Sequence, residues 1–259
     1  MPLLDAAHAA MLDDPDDDLA RLRYYRTLAD ADLCLMLADD AQGDTLTPRV
    51  FDLEDGPVVL VFDSEDRLAD FSSVPVPYAV LPGRVIVERL AGQGIGLGVN
   101  LSAPDCAWLM VPLAVDWLAG VLATRPTETR GRPLAIHAPG PLEPGLSEAL
   151  GFALAGAGGL AAAAVLAQVA WEGGARGLML AFLGAATGAQ DALARAVAEA
   201  LAFSGFDGGT VDLAFLAADD PVARSLLALG QPLRLPAPPA APPERPAPAP
   251  DPTRPPRLR

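Results

Sequence analysis

The stretch VFDLEDGPVVLVFDSEDRLADF, residues 50–71, sets seven carboxylates around one apolar run. Such a cluster could hold a cation, supply an acid–base pair or present charge to a partner. A calcium loop needs alternating oxygen ligands, a glycine at its sixth position and a glutamate at its twelfth. This stretch lacks that pattern. In VFDLE, Asp52 and Glu54 alternate with Phe51 and Leu53, as on a half-buried strand. Asp55 stands in a DGP turn. Asp63 and Ser64 suit a helix N-cap, Glu65 and Asp66 its first turn, where the helix dipole favours negative charge, and Asp70 its surface. Structural duty accounts for all seven acids. Surface recognition by Asp52, Glu54 and Asp55 is the second use they could serve.

The run GIGLGVN predicts a strand with Gly94, Gly96 and Gly98 on one face and Ile95, Leu97 and Val99 on the other. A dinucleotide fingerprint is G-x-G-x-x-G between a strand and a helix. Here the glycines alternate strictly and the run follows a helix, so close packing on the bare face is expected. A ligand approaching that backbone is the alternative. Other reactive groups are sparse. His8 and His137 are far apart, and Ser204 in AFSGF lacks the first glycine of a nucleophile elbow. There is no HExxH, CxxC or phosphate-loop motif. All 18 basic residues are arginines, which excludes a Schiff-base or phosphate-loop lysine. Cys34 and Cys106 each sit in an apolar run and read as buried, inert thiols. Carboxylate pairs for glycoside chemistry would arise by chance among 33 acids, but three Trp and three Tyr are few for sugar stacking. No catalytic residue, cofactor or metal ligand is assigned.

The net charge of −15 repels nucleic acid and anionic membrane surfaces and favours a protein or small-molecule partner. The first residues, MPLLDAAHAAMLDDPDDD, lack a basic segment before a long apolar one, so a cytoplasmic location is expected. Residues 149–171 carry no charge, which is long enough for a membrane span. Ten of those residues are Ala and four are Gly, which add little to insertion, and Gly156, Gly158 and Gly159 divide the run. A helix ending at GAGG and a buried strand after it are predicted. Membrane attachment through this run is the weaker third reading.

The elements around these residues predict an α+β fold of two small mixed domains, each a short sheet with packed helices. The first domain spans 1–122. It holds helices over 3–12 and from Asp16, a doubly covered strand over Leu33–Ala38, the central strand Val58–Phe62, a helix from Pro82, and a strand followed by a helix from Pro112. Asp17 stands four residues before Arg21, a favourable surface pair. Residues 123–145, rich in Pro and Gly, read as a linker. The second domain spans 146–231: AAAVLAQVAW and GLMLAFLGA as strands, a helix with Leu193, Val197 and Leu201 on its core stripe, the strand GTVDLAFLAA and a short helix. Residues 232–259, mostly Pro, Ala and Arg, read as an extended, disordered tail.

With these elements placed, FDLEDGPVVLVFDSEDRLADF followed by LPGRVIVERLAGQGIGLGVNLS resembles the N-terminal domain of the enhanced serine sensitivity (SseB) family, over roughly residues 20–122. The resemblance is carried by Phe51, Gly56, Phe62, Phe71 and Asn100. RGLMLAFLGA and VDLAFL resemble the C-terminal domain of that family. It implies a cytoplasmic bacterial protein of two mixed domains and no established reaction, so no site residue is carried over. The expected function is non-enzymatic: binding or regulating a protein partner through an acidic surface. A small-molecule sensor or enzyme with a site at the strand of Gly94, Gly96 and Gly98 is the alternative.

Overall fold

A computed structural model describes residues 3–40, 43, 45–54, 56–127, 131–206 and 209–238. The fold is α+β, with two mixed sheets packed by helices. In the first unit, α1 (Leu3–Asp13) and α2 (Asp18–Asp30) precede β1 (Asp32–Met36), β2 (Val50–Leu53) and β3 (Gly56–Phe62). Then come α3 (Glu65–Phe71), β4 (Tyr78–Pro82), α4 (Gly83–Leu90), β5 (Gly96–Val99), β6 (Trp108–Met110) and α5 (Pro112–Ala123). The strand order is β4-β1-β3-β5-β6, with β2 beside β3. Only β3 and β5 pair in parallel here; the remaining pairs are antiparallel.

The two faces of this sheet are unequally covered. Leu33, Leu35, Val59, Val61, Leu97 and Val99 pack under α1, α2, α4 and α5 in one large core. The opposite face carries Cys34, Met36, Val58, Leu60 and Phe62, which meet Leu68 of the short α3. Asp17 caps α2 by accepting from Leu19 N at 2.8 Å. Arg21 pairs with Asp18 rather than with Asp17, because the cap occupies Asp17.

The second unit contains β7 (Pro133–His137), α6 (Pro144–Ala155), β8 (Ala163–Trp171), β9 (Arg176–Leu183), α7 (Gln190–Ala202), β10 (Val211–Leu216), α8 (Pro221–Leu229) and β11 (Gln231–Leu233). Its sheet runs β10-β9-β8-β11, with β7 also on β8. The parallel pair β9–β10 is joined through α7, and Gly173 and Gly174 turn the β8–β9 hairpin at φ +103° and +88°. The uncharged run divides as predicted, α6 ending at Ala155 and β8 starting at Ala163. Among the described residues, no helix is long and apolar enough to cross a membrane.

Three boundaries differ from the sequence reading. The 123–145 stretch is not all loop: β7 lies within it and pairs with β8, so the second sheet begins there. The tail starts later than residue 232. β11 pairs with β8, Leu233 and Leu235 pack on the second core, and the Ala237 carbonyl comes so near Gly158 that a Cβ there would sit 2.7 Å from it. The expectation of disorder for 239–259 falls outside the described residues. The strand β4 was not anticipated; it forms an edge, with one side bonded to β1.

The two units meet through helices. Phe203, just after α7, is buried in the first unit's core. Arg23 pairs with Glu148, Arg84 with Glu199 at 3.1 Å, and Arg26 lies 4.4 Å from the Phe152 ring. Gly205, at φ +61°, admits Leu19 so closely that a Cβ would come within 2.5 Å of it.

Candidate recognition surface

Asp52 and Glu54 are exposed at β2, but the expected half-buried alternation holds only in part, since Leu53 is exposed beside half-buried Phe51; Asp55 lies outside the described residues. Ser64 caps α3, its Oγ accepting from Arg67 N at 3.4 Å, and Glu65 and Asp66 occupy the exposed first turn. Asp63 does not cap the helix. It turns inward, and its Oδ2 accepts from Arg67 at 2.6 Å. Arg67 also donates to both oxygens of Asp5 on α1, at 2.9 and 2.8 Å. That fork holds the Asp5 carboxyl below its usual range and raises the Arg67 guanidinium further. Ser102 donates to the Arg67 carbonyl at 3.0 Å. So the only cation within the stretch is spent on anchoring α3 to the sheet end.

The acids left outside face no such partner. Asp52, Glu54, Glu65, Asp66 and Asp70 are exposed and form no ion pair among the described residues. Glu65, Asp66 and Asp70 belong to α3 and flank exposed apolar groups, whereas Asp52, opposite Pro57 in the β2–β3 register, lies on the other face of the sheet at its uncovered margin. Phe71 stacks edge-on with Phe51 at 6.3 Å and contacts Phe62 at 5.4 Å, yet remains part-exposed. The register Cys34↔Val80 and Met36↔Tyr78 places Val80 and Tyr78 on this same face, 53% and 39% exposed, and Val74 stands at 65%. Glu65 beside the Tyr78 hydroxyl raises its pKa. The guanidinium of Arg49 is taken up over the Phe51 ring at 5.2 Å. The result is an apolar strip along α3 and β4, rimmed by carboxylates without counter-ions.

The glycine-rich strand is arranged otherwise. Gly94 lies in the turn before β5, at φ +69°, and so is not on the strand face. Gly96 and Gly98 are buried on it. A Cβ at Gly96 would lie 2.7 Å from the Met110 carbonyl, and one at Gly98 2.7 Å from Leu60 and 2.9 Å from Leu101. Side chains of the protein itself fill the bare face.

Sequence reasoning missed a buried polar cluster at the same sheet end. His8 is 1% exposed, its ring 5.6 Å from Tyr24 and 6.0 Å from Trp108. Asn100 follows β5 at φ +50°, and its Oδ1 accepts from Asp63 N at 3.0 Å. His8 Nδ1 and Nε2, the Tyr24 hydroxyl, Trp108 Nε1 and Asn100 Nδ2 have no hydrogen-bond partner among the described residues. Burial pushes the Tyr24 hydroxyl well up. The available signal was the position of His8, four residues from Leu4 on the buried side of α1. His137 is exposed on β7, in the other unit. Ser204 donates to the Leu201 carbonyl at 2.6 Å and accepts from Phe206 N at 3.0 Å, which makes it a turn residue. Cys34 and Cys106 are buried, and burial raises both thiols, so little thiolate forms at neutral pH. Among the described residues, no group of three or more His, Cys, Asp or Glu could hold a metal ion.

Residues 4–107 match the family described as SseB protein N-terminal domain. The match begins at α1, earlier than the resemblance in the sequence, and stops just before β6. No curated protein and no solved structure matches the chain.

Proposed function

We propose that the protein is a non-enzymatic binding or regulatory module of the cytoplasm, whose first domain receives a basic protein segment on the α3–β4 face. The observation that carries this reading is the unpaired state of its charge. Asp52, Glu54, Glu65, Asp66 and Asp70 have no ion-pair partner among the described residues, although Arg67 and Arg49 lie close by and are engaged elsewhere. Apolar residues exposed inside a charged rim suit a segment that carries both arginine or lysine and large apolar side chains. The second unit is read as the C-terminal domain of the same family, its signature strands being β9 and β10. A small-molecule site at Gly94, Gly96 and Gly98 is the weaker proposal, since Leu60 and Leu101 occupy the space that a ligand would need.

A titration tests the reading. An amphipathic peptide of arginine and leucine is added to the intact chain and to the Glu65→Gln/Asp66→Asn/Asp70→Asn variant at low and high salt. The triple change should weaken binding at low salt, and the loss should shrink as salt rises because exposed charges are screened. Equal binding by both proteins at low salt would refute the role of these acids.

A further inference from the structure

We propose that the cleft between the two units binds a small organic cation, a protonated amine on an apolar body. The cleft encloses about 610 Å³ between α1 and α2 on one side and α6 and α7 on the other. Small-molecule sites of roughly 300–1,000 Å³ occur preferentially at domain interfaces. Its walls are apolar, with Leu4, Ala7 and Ala20 across from Ala149 and Phe203. The alanines keep the helices' facing sides low and leave the space open.

One end is different in kind. Asp32 begins β1 and Asp63 follows β3; the antiparallel register Cys34↔Phe62 brings these two chain positions to the same end of the sheet. Both line the cleft. The Asp63 side chain is only 8% exposed, and Arg67 serves just one of its oxygens. Asp63 Oδ1 is buried without a hydrogen-bond partner among the described residues. A buried acceptor left unserved is costly, and an ammonium drawn to this end of the cleft would reach it by a small turn of the Asp63 carboxylate. Asp32 forms no ion pair among the described residues and adds to the same negative pole.

The cations lining the cleft do not favour an anion. Arg23 is paired with Glu148, and Arg26 is held between Asp30 at 3.9 Å and the Phe152 ring at 4.4 Å. Among the charged side chains that line the cleft, the carboxylates Asp30, Asp32, Asp63 and Glu148 outnumber the guanidinium groups of Arg23 and Arg26, so the lining as a whole draws a cation.

Calorimetric titration of the intact chain with phenylbutylamine, phenylbutanol and phenylbutyrate tests the proposal, since the three share an apolar body and differ in the head. The ammonium should bind about tenfold tighter than the carboxylate, with the alcohol between them. Asp63→Asn should remove most of that preference. Because that change also disturbs Arg67, Asp32→Asn serves as a second variant and should weaken the ammonium alone. Ala149→Leu, which narrows one wall, should weaken all three probes. The proposal is overturned if no probe gives saturable binding, if the three heads bind equally, or if all three variants bind as the parent does. The probe comparison in the parent and the Asp32→Asn and Ala149→Leu variants leave α3 and its Arg67 anchor intact, so the arginine–leucine peptide titration of the α3–β4 face stands or fails separately.

Discussion

The two faces of the first sheet are built from the same strands and made for different ends. On one, Leu33, Leu35, Val59, Val61, Leu97 and Val99 are all buried beneath helices. On the other, the buried centre from Cys34 to Phe62 gives way to exposed Val80, Tyr78 and Val74, which the seven-residue α3 does not cover. Alternation along each strand sets which residue goes to which face, but the helices decide which face is finished. The acids follow the same division. Asp5 and Asp63, at the sheet end, are locked to Arg67, whereas Glu65, Asp66 and Asp70 of α3, at the open face, are left to solvent. A charge that is paired holds the fold; a charge left unpaired beside apolar surface is available to a partner.

Core truncation on either face should have the largest effect. Leu97 lies under the helices and Phe62 under α3, and neither is exposed. Leu97→Ala is expected to cost about 2–5 kcal/mol and Phe62→Ala about 3–5 kcal/mol in a denaturant melt. A much smaller cost for Phe62→Ala would mean that the α3 face is loosely packed throughout, not only at its margin.

Breaking the Arg67 fork comes next. Asp5→Asn should lower stability by on the order of 1.5–3 kcal/mol, the worth of hydrogen bonds to charged groups. Because Arg67 holds the Asp5 carboxyl low in the folded state, its contribution is complete above the ordinary value of 3.8 and is lost as pH falls below it. Urea melts from about pH 5 to about pH 2 should therefore show a steeper acid loss in the parent than in Asp5→Asn. Parallel curves for the two would contradict the fork.

Truncation probes the second unit for contrast. A chain ending at Gly230 should melt several degrees below one ending at Pro238, because β11 and the contacts of Leu233 and Leu235 are removed. Coincident melts would show that this segment contributes nothing to the second core.

The smallest expected change is at the exposed end of β2. Asp52→Asn with Glu54→Gln should alter stability by no more than about 0.5 kcal/mol, since both residues are exposed and unpaired among the described residues. A loss matching that of Phe62→Ala would mean that these acids are structural.

Much of this contrast was legible from local pattern. The apolar run Val58–Phe62 is the buried strand β3, Ser64 is the cap of α3, and Asp52 is exposed on β2 as its alternation with Phe51 predicts, although Leu53 is exposed as well. What local pattern could not supply was pairing across the chain. Asp63 looks like a capping residue until Arg67 and the distant Asp5 are brought to it. The glycines of β5 announced close approach, but not that Leu60 and Leu101 would be what approaches. β7 and β11 were hidden by their prolines. Pro133 begins its strand, and Pro232 lies in an edge strand that bonds β8 on one side, both places where a missing N–H is tolerated.

The most direct test of the account is a hydrogen-exchange footprint of the intact chain with the arginine–leucine peptide bound. Protection should appear at β2, α3 and β4 while the amides of α4 and α5 exchange as in the free protein. Protection confined to α4 and α5, or none at saturating peptide, would contradict the claim that the open, acid-rimmed face of the first sheet is where this protein meets a partner.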